Sequence, residues 1–177
     1  STVSRNLSVT ASGAVSDTDK LTVAGTTTII ATGQTVELDT ATNEFIGAVT
    51  VTGGATILKD ATDLTVRLVT SGTTAITAVE SLKLDGTVSG ATSDLTTTAA
   101  ATSFGTTAVG RNLSATASGN ISQTGALDVE ATSIFTTQTN DTTITLTNIA
   151  NEFTDAVSLI STDSDSNNEE AVQLTNS

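Results

Sequence analysis

Apolar residues recur along this chain in pairs two positions apart: Leu7/Val9, Leu21/Val23, Val36/Leu38, Val49/Val51, Leu64/Val66, Leu82/Leu84, Leu113/Ala115, Leu127/Val129, Ile144/Leu146, Val157/Leu159 and Val172/Leu174. Alternate residues of a strand point to one face, so each pair reads as the inward side of a short strand. Between the pairs lie turn-forming residues, as at Ser12-Gly13, Gly53-Gly54, Asp85-Gly86 and Ser118-Gly119. No stretch sustains a 3.6-residue apolar period, and little or no helix is predicted.

The pairs belong to a longer repeat. Arg5 to Thr18 reads RNLSVTASGAVSDT and Arg111 to Thr124 reads RNLSATASGNISQT, identical at ten of fourteen positions and 106 residues apart. A second echo lies 108 residues apart, where Asn43-Glu44-Phe45 with Ala48-Val49 returns as Asn151-Glu152-Phe153 with Ala156-Val157. Self-similarity of this kind marks stacked units that share one core. Short, evenly spaced strands fit a sandwich, a barrel or a solenoid. Three features favour the solenoid: a phrase that repeats and then drifts, a spacing that fits three short strands per rung of roughly 21 residues, and a complete lack of Pro. Pro would remove a ladder hydrogen bond in almost any interior strand. The expected fold is all-β, a parallel β-helix (β-solenoid) of about eight rungs with the two phrases about five rungs apart.

One solenoid domain is expected over 1–177, with an internal repeat relating 3–66 to 109–174. Residues 69–107 read as less regular rungs, because Asp94 to Thr107 holds a Thr/Ala run between Leu95 and Phe104. A distorted rung or an external loop is expected there. A polar, acidic loop is expected at 161–170. Phe45 and Phe153, at equivalent places in the echo, read as core or corner packing.

Composition narrows the function classes. Hydrophobic residues make up 37% of the chain, too many and too well patterned for a disordered tail. No apolar run approaches the length of a membrane span, so no membrane insertion is expected. The net charge of −13, from 6 basic and 19 acidic residues, disfavours nucleic acid as a partner, since phosphates would repel it. The chain begins at Ser1 without an initiator Met and reads as processed or as part of a longer polypeptide.

The phrase RNLSxTASGxISQTGALxV, followed by TxTIxLxNxxNEFxxAVSL, resembles the repeat of filamentous-haemagglutinin-like adhesins, clearest in 3–66 and 109–159. The resemblance implies a right-handed parallel β-helix. It further implies a secreted, extracellular or cell-surface location and a part in adhesion, biofilm or contact with host or cell-surface glycans and proteins. These repeats form the shaft of large exported bacterial proteins.

Catalysis finds little support in the residues. Without His or Cys there is neither an imidazole base nor a thiolate. Asp17/Asp19, Glu37/Asp39, Asp60/Asp63 and Asp128/Glu130 are candidate carboxylate pairs for a β-helix polysaccharide lyase or hydrolase. A sugar site also wants aromatic platforms, and Trp and Tyr are absent. Solvated outer faces and turns are the simpler reading.

Calcium is the better ligand candidate. Asp163-Ser164-Asp165-Ser166-Asn167 offers oxygens at alternate positions, and Asp163, Asp165, Glu169 and Glu170 are the candidate ligands. Asn168 stands where a calcium loop of the EF-hand kind needs Gly, and Leu174 where it needs a bidentate Glu. Thr-x-Thr units at Thr26/Thr28, Thr50/Thr52, Thr96/Thr98, Thr137/Thr139 and Thr143/Thr145/Thr147 raise ice binding. Their spacing suggests different strands of the turn rather than one flat rank, and β-propensity explains them more simply. The Asn-x-Ser/Thr triplets at Asn6, Asn112, Asn120 and Asn140 read as turn asparagines. Arg5 and Arg111 read as ion-pair or capping residues toward a neighbouring rung.

The function these readings favour is a non-enzymatic rod of an extracellular bacterial adhesin or fibre. A glycan-cleaving enzyme and a calcium-binding surface module are the alternatives, and no cofactor other than calcium is expected. The expected partners are neighbouring repeats of a longer chain or further copies stacked end to end, because solenoid ends leave unpaired backbone edges.

Overall fold

The structure is a computed structural model and describes residues 1–162 and 172–177. Its strands coil around one axis in eight turns. The first turn carries β1 (Thr2–Val3), β2 (Leu7–Thr10) and β3 (Val15–Ser16). The second carries β4 (Thr22–Val23), β5 (Thr27–Ile30) and β6 (Val36–Leu38), and the third β7 (Glu44–Phe45), β8 (Val49–Gly53) and β9 (Thr56–Asp60). Three turns of two strands follow: β10 (Leu64–Thr70) with β11 (Thr74–Ala78), β12 (Ser81–Val88) with β13 (Leu95–Ala99), and β14 (Ala101–Val109) with β15 (Leu113–Ala117). The seventh turn carries β16 (Ile121–Gln123), β17 (Leu127–Val129) and β18 (Ser133–Thr137). The eighth carries β19 (Ile144–Leu146), β20 (Glu152–Phe153) and β21 (Val157–Ile160), and β22 (Val172–Leu174) opens the next.

The strands form three sheets, ordered β1-β4-β7, β2-β5-β8-β10-β12-β14-β16-β19-β22, and β3-β6-β9-β11-β13-β15-β18-β21, with β17 and β20 beside the second path. Every pairing among the described residues is parallel. This is the expected all-β solenoid, with turns of roughly 20 residues. Among the described residues there is no helix.

Strand alternation builds the core. In the third sheet Leu38, Leu58, Ile76, Thr97, Ala115, Phe135 and Leu159 stack in one inward column, each over the last. Outward neighbours such as Ile57 and Ile134 are left part-exposed, because their place in the pleat points them away from the axis. The rings of Phe104, Phe135 and Phe153 meet edge to face at centroid distances of 6.2 and 6.1 Å. At the two ends the same pattern is only half covered. Leu7, Val9, Val15 and Leu21 at one end, and Val157 and Leu159 at the other, pack on the core but stay partly exposed.

The middle turns, where less regular rungs are expected over 69–107, differ from the end turns in having two strands each and one register shift, between Leu84 and Gly86. They hold long strands, β12 with 8 residues and β14 with 9. Thr70, Thr74, Thr97, Thr102 and Thr107 fill inward positions there and are buried. The Thr methyl and β-branch suit the pleat, so a shortage of large apolar residues does not break the strands. The irregularity is one bulge. Leu84 pairs with Phe104 and Gly86 with Thr107, so Gly105 and Thr106 together face Asp85. Gly86 has φ +117°, and a Cβ there would lie 2.0 Å from the Leu68 carbonyl oxygen, so this position requires glycine.

Faces merge and divide along the rod. The first sheet ends at β7, and the second continues as longer strands. On β14 the long strand splits again: β16 pairs with Thr102–Phe104 and β17 with Thr107–Val109. The two copies of the phrase therefore lie on different faces. The Leu7 copy starts in β2 of the second sheet and the Leu113 copy in β15 of the third. The offset of 106 residues covers five turns and one further face, not five turns alone, because a turn is shorter than the expected 21 residues.

Candidate functional site

The side chains placed with most care are at the corners, where they tie each turn to the next. Asn43 and Asn151 are both fully buried. Asn43 Oδ1 accepts the Leu21 N–H at 2.8 Å and Asn151 Oδ1 the Leu127 N–H at 2.9 Å, in each case from the turn before. Their amides also hold equivalent partners. Asn43 Nδ2 donates to the Asp17 carboxylate, while Asn151 Nδ2 donates to Gln123 Oε1 at 2.9 Å. Asp17 and Gln123 are one of the differing positions in the repeated phrase, so the contact survives the exchange of an acid for an amide.

A second corner runs through three turns. Asp94 Oδ1 accepts the Asn112 N–H at 3.2 Å and its Nδ2 at 3.0 Å, and Asp94 Oδ2 lies 3.5 Å from Arg111 Nη1. Asn112 Oδ1 in turn accepts the Thr132 N–H at 3.3 Å and its hydroxyl at 2.7 Å. Asn6 and Asn120 repeat the last step, accepting from Thr26 N at 3.0 Å and Thr143 N at 2.8 Å. The triplet asparagines at 6, 112 and 120 are thus turn caps, as expected, and Arg111 makes the expected ion pair with a neighbouring turn.

The candidate carboxylates divide in the same way. Asp60 is buried, with Oδ2 accepting from Phe45 N at 2.7 Å and Oδ1 from the Thr62 N–H and hydroxyl at 2.7 and 2.8 Å. Asp63 Oδ1 accepts from Ser81 N at 2.9 Å, and Asp17 Oδ1 from Asp39 N at 3.1 Å. Asp19, Glu37, Asp39 and Glu130 are exposed. Both oxygens of the buried Asp60 carboxylate are committed to hydrogen bonds within the fold. The calcium candidates Asp163, Asp165, Glu169 and Glu170 lie outside the described residues.

Two outer surfaces remain. On the second sheet an open groove of about 470 Å³ is lined by residues including Thr50, Thr65, Arg67, Lys83, Asp85 and Ser103, with Arg67 Nη1 3.9 Å from Asp85 Oδ2. On the third sheet Thr77, Thr98, Thr116 and Thr136 line up outward on successive turns. That column takes in only Thr98 of the Thr-x-Thr units, which lie in or beside β5, β8 and β19 of the second sheet and β13 and β18 of the third, on different strands of the turn. Turn lengths vary, so in-register threonines are not evenly spaced in the sequence.

The family model for repeats of unknown function (DUF5649) matches residues 1–52 and 92–160, more than half of the chain. The chain belongs to this family. No curated protein and no solved structure matches it. The DUF5649 matches carry both copies of the phrase and both corner asparagines, Asn43 and Asn151. The stretch outside them, 53–91, holds β10 and β12, in which the first two faces have run together. The repeat model thus covers the first, second, seventh and eighth turns and takes in the merged turn of β14 and β15, while β10, β11 and β12 lie outside it.

The sequence pointed to Phe45 and Phe153 within the Asn-Glu-Phe echo, and both are buried. It did not point to the asparagine in front of each, though the echo contains it. Asp60 and Asp94 had no comparable signal, since neither lies in the repeated phrase.

Proposed function

We propose that this chain is a length of non-enzymatic structural shaft. One observation carries the reading: the corner residues Asn43, Asn112, Asn151 and Asp94 bond to the turn before or after their own. A buried polar group committed to backbone N–H groups holds a shape and is not free for chemistry. With the paired strands about 4.8 Å apart, eight turns make a rod about 40 Å long. The resemblance to filamentous-haemagglutinin-like repeats supports a finer reading, in which the shaft belongs to an exported bacterial adhesin or fibre.

Micrographs of the purified chain should show short rods, and neutral or acidic polysaccharides incubated with it should yield no new reducing ends. Compact globules or released sugar ends would overturn the shaft. Protease added outside intact source cells should digest the protein, and full protection would overturn the surface location.

A further inference from the structure

We propose that the open groove on the second sheet binds an acidic polysaccharide, with Arg67 and Lys83 holding its acid groups and Asp85 accepting a sugar hydroxyl. The site lies on the side of the solenoid and stands or falls apart from the shaft reading.

The chain has a net charge of −13 and only six basic residues, so most of its surface repels anions. Two of the six stand together here. Arg67 pairs with Asp85 across the ladder and Lys83 with Thr65, so both cations rise from one outer face within reach of one ligand. Arg67 Nη1 lies 3.9 Å from Asp85 Oδ2, beyond hydrogen-bond distance, and its side chain is 64% exposed. Lys83 is exposed and has no ion-pair partner among the described residues. Asp63 stands beside Lys83, but its Oδ1 accepts the Ser81 N–H at 2.9 Å.

The bulge shapes the groove. Residues of β8, β10, β12 and β14 line it, and Gly105 sits opposite Asp85 where the register shifts. A Cβ at Gly105 would lie 2.8 Å from Asp85 Cβ, so any side chain there would press on Asp85. Asp85 Oδ1 is shielded from solvent and has no hydrogen-bond partner among the described residues. Such an acceptor lacks a donor. The χ2 torsion of Asp is soft, so a ligand hydroxyl in the groove can supply one. Arg67, Lys83 and Asp85 all lie in 53–91, outside the repeat match. The site is therefore a feature of the merged turns and not of the repeat.

The groups present select the ligand. Two cations require an anion. The unpartnered carboxylate oxygen requires a donor, which the hydroxyls of a sugar ring bring along with an acid group. Thr50, Thr65 and Ser103 surround the cations with hydroxyls that both donate and accept. An acidic peptide is the other anionic polymer, and extended peptides are held by pairing with a free strand edge. Here β10 and β12 are paired on both sides and offer none. Aromatic platforms serve ring stacking, and in an acidic ligand charge takes their place.

Titration of the chain with fluorescently labelled polygalacturonate tests the proposal, with dextran sulfate, neutral dextran and polyglutamate as comparisons. Polygalacturonate or dextran sulfate should bind, more weakly as salt rises, and neutral dextran should not. The tighter of the two identifies the acid group as carboxylate or sulfate. Arg67→Gln and Lys83→Gln should each weaken binding about tenfold. Lys59→Gln, on β9 of the third sheet, should bind like the parent. Asp85→Ala separates recognition from bulk charge. Charge alone predicts tighter binding once an acid is removed, whereas loss of the acceptor predicts binding about fivefold weaker. All of these side chains point outward, so circular dichroism should show unchanged folding. A parent that binds neither acidic polysaccharide would overturn the proposal. So would polyglutamate bound equally well, Gln variants that bind like the parent, or Asp85→Ala binding more tightly. Binding is read apart from cleavage: its failure leaves the shaft reading standing, and new reducing ends would remove the shaft without touching the groove.

Discussion

Leu7 and Leu113 hold the same place in the repeated phrase and sit in different sheets, Leu7 at an open end of the solenoid and Leu113 between two covering strands. Their substitutions should differ accordingly. Leu113→Asp buries an unpaired charge and should cost more than about 4 kcal/mol. Leu7→Asp leaves its carboxylate half in water and should cost about 1–2 kcal/mol. Denaturant unfolding of the two variants checks this, and equal losses would mean that the end turn is as well covered as the interior.

Phe135 is fully buried between Phe104 and Phe153, with edge-to-face contacts on both sides. Ala115, its inward neighbour on the turn before, leaves the space that the ring fills. Phe135→Ala should therefore lose about 3–5 kcal/mol, and Phe135→Leu clearly less, since Leu fills part of the volume. A thermal melt of each variant gives the comparison.

Buried threonines should answer to substitution in opposite directions. Thr97 Oγ1 is buried with no hydrogen-bond partner among the described residues. Thr97→Val keeps the shape and removes that desolvated hydroxyl, so stability should rise by about 1 kcal/mol. Thr74 Oγ1 instead lies 2.9 Å from Thr70 Oγ1 and 3.0 Å from the Gly72 carbonyl oxygen. Thr74→Val strands the Thr70 hydroxyl and should cost about 1–2 kcal/mol. Melting temperatures that move the same way in both would refute the distinction.

Asp60 is the buried carboxylate that holds the corner after Phe45. Removing it in Asp60→Ala leaves the N–H groups of Phe45 and Thr62 without their acceptor and should cost about 2–4 kcal/mol. Asp60→Asn keeps one oxygen and should recover about half of that. Hydrogen exchange at the Phe45 amide reads the loss directly, because that proton would open without global unfolding.

Much of the corner chemistry was written in the sequence without being legible there. Arg111 and the asparagines at 6, 112 and 120 stand in turns and could be read as caps from the residue type alone. The partners of those caps could not. Asp94 meets Asn112 across 18 positions and Asn151 meets Gln123 across 28, distances set by how many residues each turn takes. Asn43 and Asn151 stood inside the echo, yet an asparagine followed by a glutamate does not announce that it is fully buried.

The alternation of apolar and polar residues determined, by itself, that this chain forms short strands stacked around a narrow aliphatic core. Each strand needs only its own few residues to present one inward side, so that information is local. Which face a strand joins was decided by the tertiary structure. The faces all accept the same alternating pattern, and the phrase that begins in β2 can be laid into β15 a face further on. The position is set by the summed length of the turns between, and by the merging of two faces in β10, β12 and β14. Inward threonines, the bulge opposite Asp85 and the glycine at 86 make that merging possible. None of these alters the local pattern, and each acts only through neighbours roughly 20 residues away.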